Sequence, residues 1–158
     1  MDIDGSTPIV SPPRITRQQA LDFTESRPIG RVAGTIYDVA QSLGIDPAFA
    51  LAEAILETGW GTSPLAQQRH NRYGYMAYLN SPDSARSFAD DSEGIRIPLH
   101  DILQHYCSTG GLYYDGGRGG TLAGWARNWV GGSQAHWQDA VAQIIWLMEK
   151  SASTQESS

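Results

Sequence analysis

Two glutamates, Glu53 and Glu57, are the residues of this sequence whose type and spacing most directly indicate chemistry. They lie four positions apart in "AEAILETGWG", so they share one face of a helix. No cationic residue stands at a matching position to pair with them. With Trp60 close behind, burial, the field of the helix end and repulsion from Glu53 would each raise the pKa of the Glu57 carboxyl. A carboxylic acid that stays protonated near neutral pH is what cleavage of a glycosidic bond requires. The same pattern is also typical of an ordinary surface glutamate near a helix end, with the tryptophan in the core.

A second catalytic carboxylate is harder to place. Inverting hydrolysis needs a base about 6.5–9.5 Å from the acid, whereas retention needs a nucleophile or the substrate's own acetamido group. The candidates for the base are Asp83, Asp90 and Asp91, which lie in or just after an aromatic segment. Asp83 also fits a turn and Asp91 a helix start, where acidic residues are common for structural reasons. Assistance by the substrate is therefore an equal alternative.

Aromatic rings and side-chain amides in the same region suit a sugar ligand, because the apolar faces of hexoses stack on flat rings. The candidates for sugar contacts are Trp60, Gln68, Asn71, Tyr73, Tyr78, Tyr113 and Trp125. Two other tryptophans, Trp129 and Trp137, keep step with the apolar faces of helices. We expect those two to be mainly core residues.

The sequence favours neither a metal site nor a cofactor. His100 and His105 are five apart, so they do not share a face as an i, i+4 ligand pair would. The single cysteine, Cys107, excludes an internal disulfide and a multi-cysteine metal site. Because Cys107 lies in an apolar helical pattern, we expect a buried structural thiol. No metal and no organic cofactor is expected.

The elements that position these side chains are mostly helical. Predicted helices begin near Thr16, Val32, Asp46, Ser63, Ser92, Leu122 and Trp137. Pro98 should kink the fifth helix or delay its start. The stretch from Tyr73 to Phe88 is typical of a short β-hairpin or irregular aromatic lobe, and Thr109 to Gly120 of a glycine-rich loop. The predicted fold class is mainly α (α+β), a helical domain whose small lobe forms a cleft.

Length and composition indicate one domain, because 158 residues with 41% hydrophobic content can build a core. We expect a flexible segment at 1–14, a catalytic domain at 15–150 and a disordered tail at 151–158. A net charge of −6, without a basic run, argues against nucleic acid as a partner. No stretch approaches the roughly 18 consecutive apolar residues of a membrane span, and the first residues lack the features of a signal peptide. We expect a monomer that does not insert into a membrane.

The stretch "ALAEAILETGWGTSPLAQQRHNRYGYMAY" resembles the bacterial β-N-acetylglucosaminidase domains of autolysins and phage lysins, glycoside hydrolase family 73. In that family a helix ends in Glu-Ser-Gly-Trp-Gly-x-Ser, and an Asn-x-Phe/Tyr-Gly-Ile motif follows. Here Glu57 to Ser63 and Asn71 to Tyr75 hold these positions, and "SFADDSEGIRIPLHDILQHY" is similar to a later helix of the family. The resemblance runs from about Asp46 to Lys150. Tyr75 in place of isoleucine and a proline inside a helix are departures.

The resemblance implies a lysozyme-like fold and hydrolysis of the GlcNAc-β-1,4-MurNAc bond of peptidoglycan, with Glu57 as the general acid. Peptidoglycan glycan strands would then be the partner. The expected place of action is the bacterial cell wall, reached by secretion or phage delivery, with no signal peptide in this chain. Two alternatives stay open. One is a muramidase or lytic transglycosylase of the same fold, and the other is a non-catalytic module that binds wall glycans or builds a phage particle.

Overall fold

The computed structural model describes residues 2–75, 86–116, 119–130 and 134–157. These residues contain seven α-helices: α1 Arg17–Thr24, α2 Gly30–Leu43, α3 Pro47–Thr58, α4 Pro64–Arg69, α5 Asp91–Asp101, α6 Leu122–Trp129 and α7 Gln134–Ser157. A π-helical turn, Ile102–Tyr106, continues α5. Within the described ranges β structure is limited to isolated bridges, Pro8 with Thr121 and Val10 with Ile45. The prediction of a mainly α fold is confirmed.

The helix boundaries follow signals that the sequence carries. At α1 the Thr16 hydroxyl accepts from the Gln19 amide, and the Gln19 side chain accepts from the Thr16 amide, which forms the predicted capping box. Gly44 ends α2 in a left-handed conformation, with φ of 77°. Asp46 then caps α3 by accepting from the Ala48 amide at 3.1 Å. These caps fix where α3 begins and therefore where its carboxyl end lies.

Helix α3 lies at the centre of the packing. It contacts α2 and α7, while α2 also packs against α1 and α5, and α6 packs against α7. Every residue of α3 from Pro47 to Ile55 is buried. Phe49 of α3 meets Trp125 of α6 edge to face, with ring centroids 4.9 Å apart. A helix surrounded on all sides holds its side chains rigidly, and Glu53 lies within this buried stretch.

The N-terminal segment is packed, which corrects the expectation that residues 1–14 are flexible. Ile3 is 3% exposed and Ile9 is 1% exposed. The Leu122 amide donates to the Thr7 carbonyl at 2.9 Å, so the segment also pairs with the start of α6. Burial of the two isoleucines and this backbone hydrogen bond offset the entropy lost on ordering the segment.

The C-terminal end also differs from the prediction. Helix α7 continues to Ser157, through most of the stretch at 151–158 that we expected to be a disordered tail. That stretch contains neither glycine nor proline, so nothing in it stops a helix.

None of the described helices combines the length and the apolar character that a membrane span needs.

Pro98 lies inside α5 and does not delay its start, which is at Asp91. The helix passes through the proline and changes to the π-helical turn Ile102–Tyr106. Proline removes one backbone donor and its ring crowds the carbonyl four residues earlier. The proline that was predicted to kink or delay the helix is therefore followed by a change from α-helix to π-helix.

The predicted hairpin lobe lies mostly at 76–85, outside the described residues. Its two ends are described and are tied together. The Arg86 amide donates to the Tyr75 carbonyl at 3.1 Å. The Asn71 amide nitrogen donates to both the Tyr75 and the Arg86 carbonyls at 2.9 Å. The chain therefore leaves and re-enters the helical body at a single point.

Candidate active site

Glu57 lies in the last turn of α3, where the buried helix reaches the surface. Its side chain is partly exposed, whereas Glu53, one turn earlier, is 0% exposed. Burial raises the pKa of Glu57 to about 7, and hydrogen bonds with Glu53 and Trp129 oppose that rise. A rigidly held carboxyl with a pKa near 7 is suited to donate a proton at neutral pH.

The turn after α3 consists of three consecutive left-handed residues, Gly59, Trp60 and Gly61, with φ of 55°, 64° and 89°. The Thr58 hydroxyl accepts from the Gly61 amide at 2.7 Å and holds the turn closed. A Cβ at Gly61 would lie 2.6 Å from the Ile29 nitrogen. Gly61 thus allows the turn to pack against the start of α2.

Gly74 places its backbone against the Glu57 carboxyl. A Cβ at this position would lie 2.6 Å from Glu57 Oε2 and 3.2 Å from its Cδ, and Gly74 has φ of 61°. Both the space and the backbone conformation therefore require glycine. The sequence places Gly74 in the Asn71 to Tyr75 motif, but a motif glycine does not by itself indicate contact with a catalytic group.

Indole rings from two helices surround Glu53. Trp137 Nε1 of α7 donates to Glu53 Oε2 at 3.0 Å. Trp129 of α6 acts on both glutamates and lowers the pKa of each by hydrogen bonding. We expected both tryptophans to be mainly core residues, and both are half-buried and pack against the hydrophobic core. Helical periodicity does not distinguish an indole in the core from one that binds a carboxyl. The sequence signal for a carboxyl pair at this place was the four-residue spacing of Glu53 and Glu57.

The structure changes the interpretation of Glu53. The sequence predicted that its negative charge would raise the pKa of Glu57. Full burial, together with the Glu57 carboxyl, raises the pKa of Glu53 well above its usual value, which favours the protonated form of Glu53. Its hydrogen bond to Glu57 lowers the pKa of Glu57. Desolvation is the largest cause of the raised pKa of Glu57.

Three residues that we expected to contact sugar are buried. Tyr73 and Trp125 are each 0% exposed, and the Tyr73 hydroxyl donates to the Ala50 carbonyl at 3.0 Å. Asn71 is 1% exposed, and its amide group is taken up by the backbone at the ends of the 76–85 segment. Since none of the three has surface to offer a ligand, that expectation is corrected. They support the site from inside.

Three other candidates keep exposed surface. Gln68 is exposed on α4, and Tyr113 is 47% exposed. Trp60 is half-buried, with the Arg27 guanidinium 4.6 Å from its ring centroid. These residues stay predictions as sugar contacts. Tyr78 also stays a prediction, since it lies outside the described residues.

Asp91 begins α5 and is held by Arg72 and by the His70 ring. Its carboxylate contacts Arg72 Nη1 and lies 2.7 Å from His70 Nδ1. Burial alone would raise the pKa of Asp91, but hydrogen bonds and charges from Arg72 and His70 lower it. A carboxylate engaged in this way is a poor proton acceptor. Asp90 caps the same helix through its side chain, whose Oδ1 accepts from the Glu93 amide at 2.8 Å. Asp83 lies outside the described residues.

We expect Asp91→Asn to weaken the fold and to leave the chemistry intact. The change deprives the buried Arg72 guanidinium of its anion, and a hydrogen bond to a charged group contributes about 1.5–3 kcal/mol. Urea unfolding should show a loss of that size, with kcat of the folded protein close to wild type. Asp90→Asn is the matched control, because asparagine caps a helix as well as aspartate does. A fall in kcat of about 100-fold or more would instead identify Asp91 as the base.

Metal-ligating and thiol groups do not form a second centre within the described ranges. No group of three or more His, Cys, Asp or Glu residues is arranged there to hold a metal ion. Cys107 is half-buried, and burial raises the pKa of its thiol to about 12. A thiol with so high a pKa is a poor nucleophile at neutral pH.

Comparison with known proteins gives consistent matches. The glucosaminidase family model, described as mannosyl-glycoprotein endo-β-N-acetylglucosaminidase, matches residues 33–150. The peptidoglycan hydrolase FlgJ of Pseudomonas aeruginosa is 30% identical over 99 residues, which make up 60% of this chain and 24% of that protein. A Streptococcus pneumoniae protein that carries the name of an endo-β-N-acetylglucosaminidase is 26% identical over 112 residues, 70% of this chain and 16% of that protein. The chain therefore spans less than a quarter of the length of these relatives.

Solved structures share the fold. Autolysin E of Staphylococcus aureus, in complex with a muropeptide, superposes with a TM-score of 0.68 at 15% identity over 95% of this chain and 73% of that one. Glucosaminidase B of S. aureus gives a TM-score of 0.66 at 17% identity over 94% and 65% of the two chains. The TM-scores establish a shared lysozyme-like fold, and at these low identities they establish the fold alone.

Proposed function

The chain belongs to the glucosaminidase family, and from that premise we propose that it hydrolyses the GlcNAc-β-1,4-MurNAc bond of peptidoglycan with Glu57 as the general acid. The family model covers residues 33–150, which include every helix from α3 to α6. The observation that carries the proposal is the state of Glu57. It is a partly exposed carboxyl at the end of a buried helix, with a pKa raised to about 7 by burial.

The proposed first step is proton transfer from Glu57 to the oxygen of the leaving sugar. Breaking a glycosidic bond leaves negative charge on that oxygen, and a positioned acid neutralises the charge as it develops. Hydrogen bonding with Glu53 and Trp129 lowers the pKa of Glu57, which favours the carboxylate left behind. Gly74 limits where the carboxyl can move, because its backbone packs against Oε2.

For the second step, assistance by the substrate's acetamido group is better supported than a base at Asp91. The Asp91 carboxylate is engaged by Arg72 and His70. Asp83 stays a candidate for the base. Acetamido assistance retains the anomeric configuration, whereas a carboxylate base that activates water inverts it. The anomer first formed, followed by NMR, separates the two routes.

Peptidoglycan glycan strands are the proposed ligand, and the bacterial cell wall is the proposed place of action. A catalytic mutant of S. aureus autolysin E, in which alanine replaces a glutamate, was crystallised with the disaccharide NAG-NAM. That protein superposes on this chain with a TM-score of 0.65. A likeness of fold with a glycan-binding enzyme supports the same ligand class here. We propose that the chain acts as a monomer.

Digestion of purified peptidoglycan, followed by reduction and mass spectrometry, tests the proposal. A glucosaminidase leaves GlcNAc at each new reducing end. A muramidase would leave MurNAc there, and a lytic transglycosylase would leave 1,6-anhydro products. A protein that sediments with the wall and releases nothing would be a binding module, and the hydrolase proposal would fail.

We expect activity to fall as the pH rises above about 7. The pKa of Glu57 is raised to about 7, so the protonated, active form dominates below that pH and is lost above it. Each further pH unit should lower the protonated fraction, and with it kcat/KM, about tenfold. Release of soluble muropeptides at constant ionic strength, across roughly two pH units on either side of the pKa, measures this. A profile that stays flat on the alkaline side would contradict Glu57 as the acid.

A further inference from the structure

Glu53 is a buried acid to which the proposed proton transfer assigns no direct role. Its side chain is 0% exposed, and the groups that act on it are Glu57 and the indoles of Trp129 and Trp137, none of which is a cation. A carboxylate without a cationic partner in such surroundings is far more costly than a neutral carboxyl. Burial therefore favours a protonated Glu53.

The two oxygens of Glu53 have different surroundings. Oε2 accepts the Trp137 Nε1 hydrogen at 3.0 Å, as a carbonyl oxygen does. Oε1 is buried, and no described N–H or O–H group forms a well-aligned hydrogen bond to it. The Glu57 carboxyl lies within hydrogen-bonding reach of Glu53 on the next helical turn. A proton on Oε1 that points toward Glu57 satisfies both side chains.

We propose that Glu53 is an uncharged positioning residue, whose Oε1 keeps its proton and donates a hydrogen bond to the Glu57 carboxyl while Oε2 accepts from Trp137. This inference rests on the proposed role of Glu57 as the acid. Glu53 transfers no proton to the substrate. It orients the Glu57 carboxyl and stabilises the carboxylate that remains once the Glu57 proton has moved to the sugar oxygen.

The other groups around the pair have separate partners or act on both carboxyls. Trp137 of α7 donates to Glu53 Oε2, and Trp129 of α6 hydrogen-bonds both glutamates. Glu53 also contributes to the raised pKa of the Tyr73 phenol, but the Tyr73 hydroxyl donates to the Ala50 carbonyl. The nearby cation, Arg72, is paired with Asp91. Among the described ionisable groups, Glu53 is thus the neutral donor available to Glu57.

Glutamine and methionine at position 53 separate the two possible charge states. A glutamine can accept from Trp137 through its oxygen and donate to Glu57 through its nitrogen, so it reproduces a protonated glutamate. Methionine fills a similar volume but donates nothing. We expect Glu53→Met to move the alkaline limb of the pH–kcat/KM profile to higher pH and to lower kcat, because the Glu57 carboxylate loses a donor. Glu53→Gln should keep that limb within about half a pH unit of wild type and recover most of the kcat lost in Glu53→Met.

An ionised Glu53 would give shifts of the opposite sign. Removal of a negative charge next to Glu57 would move the alkaline limb of both variants to lower pH, and that result would overturn the proposal. Infrared spectroscopy provides a readout that does not need turnover. Above the pKa of Glu57, the folded protein should keep the carbonyl stretch of one protonated carboxyl group, and Glu53→Gln should remove it. A spectrum without that band would also overturn the proposal, whether or not the Met variant folds. If the wild type releases no muropeptides at all, the proposed function fails, and the infrared result still decides the state of Glu53.

Discussion

Replacing Glu57 with glutamine should leave a folded protein that has lost about 100- to 10,000-fold of its kcat on purified peptidoglycan. Glutamine has nearly the same shape as a protonated glutamate and keeps hydrogen bonds to its neighbours, but it cannot give a proton to the leaving oxygen. Glu57 is partly exposed, and with a pKa of about 7 it is close to half-protonated at neutral pH. The change therefore removes no buried ion pair. Release of soluble muropeptides measures the loss, and thermal unfolding measures the fold.

Glu25→Gln is the matched control for this experiment. Glu25 is also a glutamate at the end of a helix, where it follows α1, but its side chain is exposed. Its replacement should leave both kcat and the unfolding midpoint close to wild type. If Glu57→Gln kept more than about a tenth of wild-type kcat, general-acid catalysis by Glu57 would be excluded, since such a contribution is at least about 100-fold.

A second large effect is expected from Gly74→Ala, through two separate causes. An L-residue with φ of 61° costs roughly 1–2 kcal/mol of stability relative to glycine. In addition, the new methyl group would lie 2.6 Å from Glu57 Oε2, which forces the carboxyl or the loop to move. A displacement of about 1 Å at a catalytic group can lower kcat by about 100-fold. Urea unfolding and muropeptide release, measured on the same samples, separate the two effects.

Gly44→Ala isolates the conformational part of that effect. Gly44 has φ of 77°, and a Cβ there meets nothing within 4 Å. The Gly44 variant should therefore lose similar stability and keep its kcat. If both glycine variants were equally active once folded, contact between Gly74 and Glu57 would have no part in catalysis.

The elements of the fold could be predicted because their ends are set locally. The Thr16 and Gln19 capping box, the Gly44 stop and the Asp46 cap each depend on residues within one turn of the chain. The packing of residues 2–14 could not be predicted in the same way. Ile3 and Ile9 are buried by contacts with distant parts of the chain, and a short segment of mixed composition carries no periodic signal for that.

The candidate site was predictable where chemistry and spacing coincided, as at Glu57. It was not predictable where burial decides, since the sequence does not distinguish a tyrosine that faces a cleft from one that faces the core. Tyr73 and Trp125 were interpreted as sugar contacts and are fully buried. The influence of Glu53 on Glu57 depends on burial in the same way. Two acids four residues apart repel only if both are ionised, and the full burial of Glu53 favours its protonated form.

The packing of the N-terminal segment has a consequence for where the domain can be shortened. The family model begins at residue 33, inside α2. A chain trimmed to that boundary would lose α1, uncover the hydrophobic surface that Ile3 and Ile9 now cover, and lose the amide hydrogen bond from Leu122 to Thr7 at the first turn of α6. Helix α6 ends at Trp129, whose indole hydrogen-bonds both Glu53 and Glu57. The evolutionary unit recognised by the family is thus smaller than the physical unit that holds this acid in place.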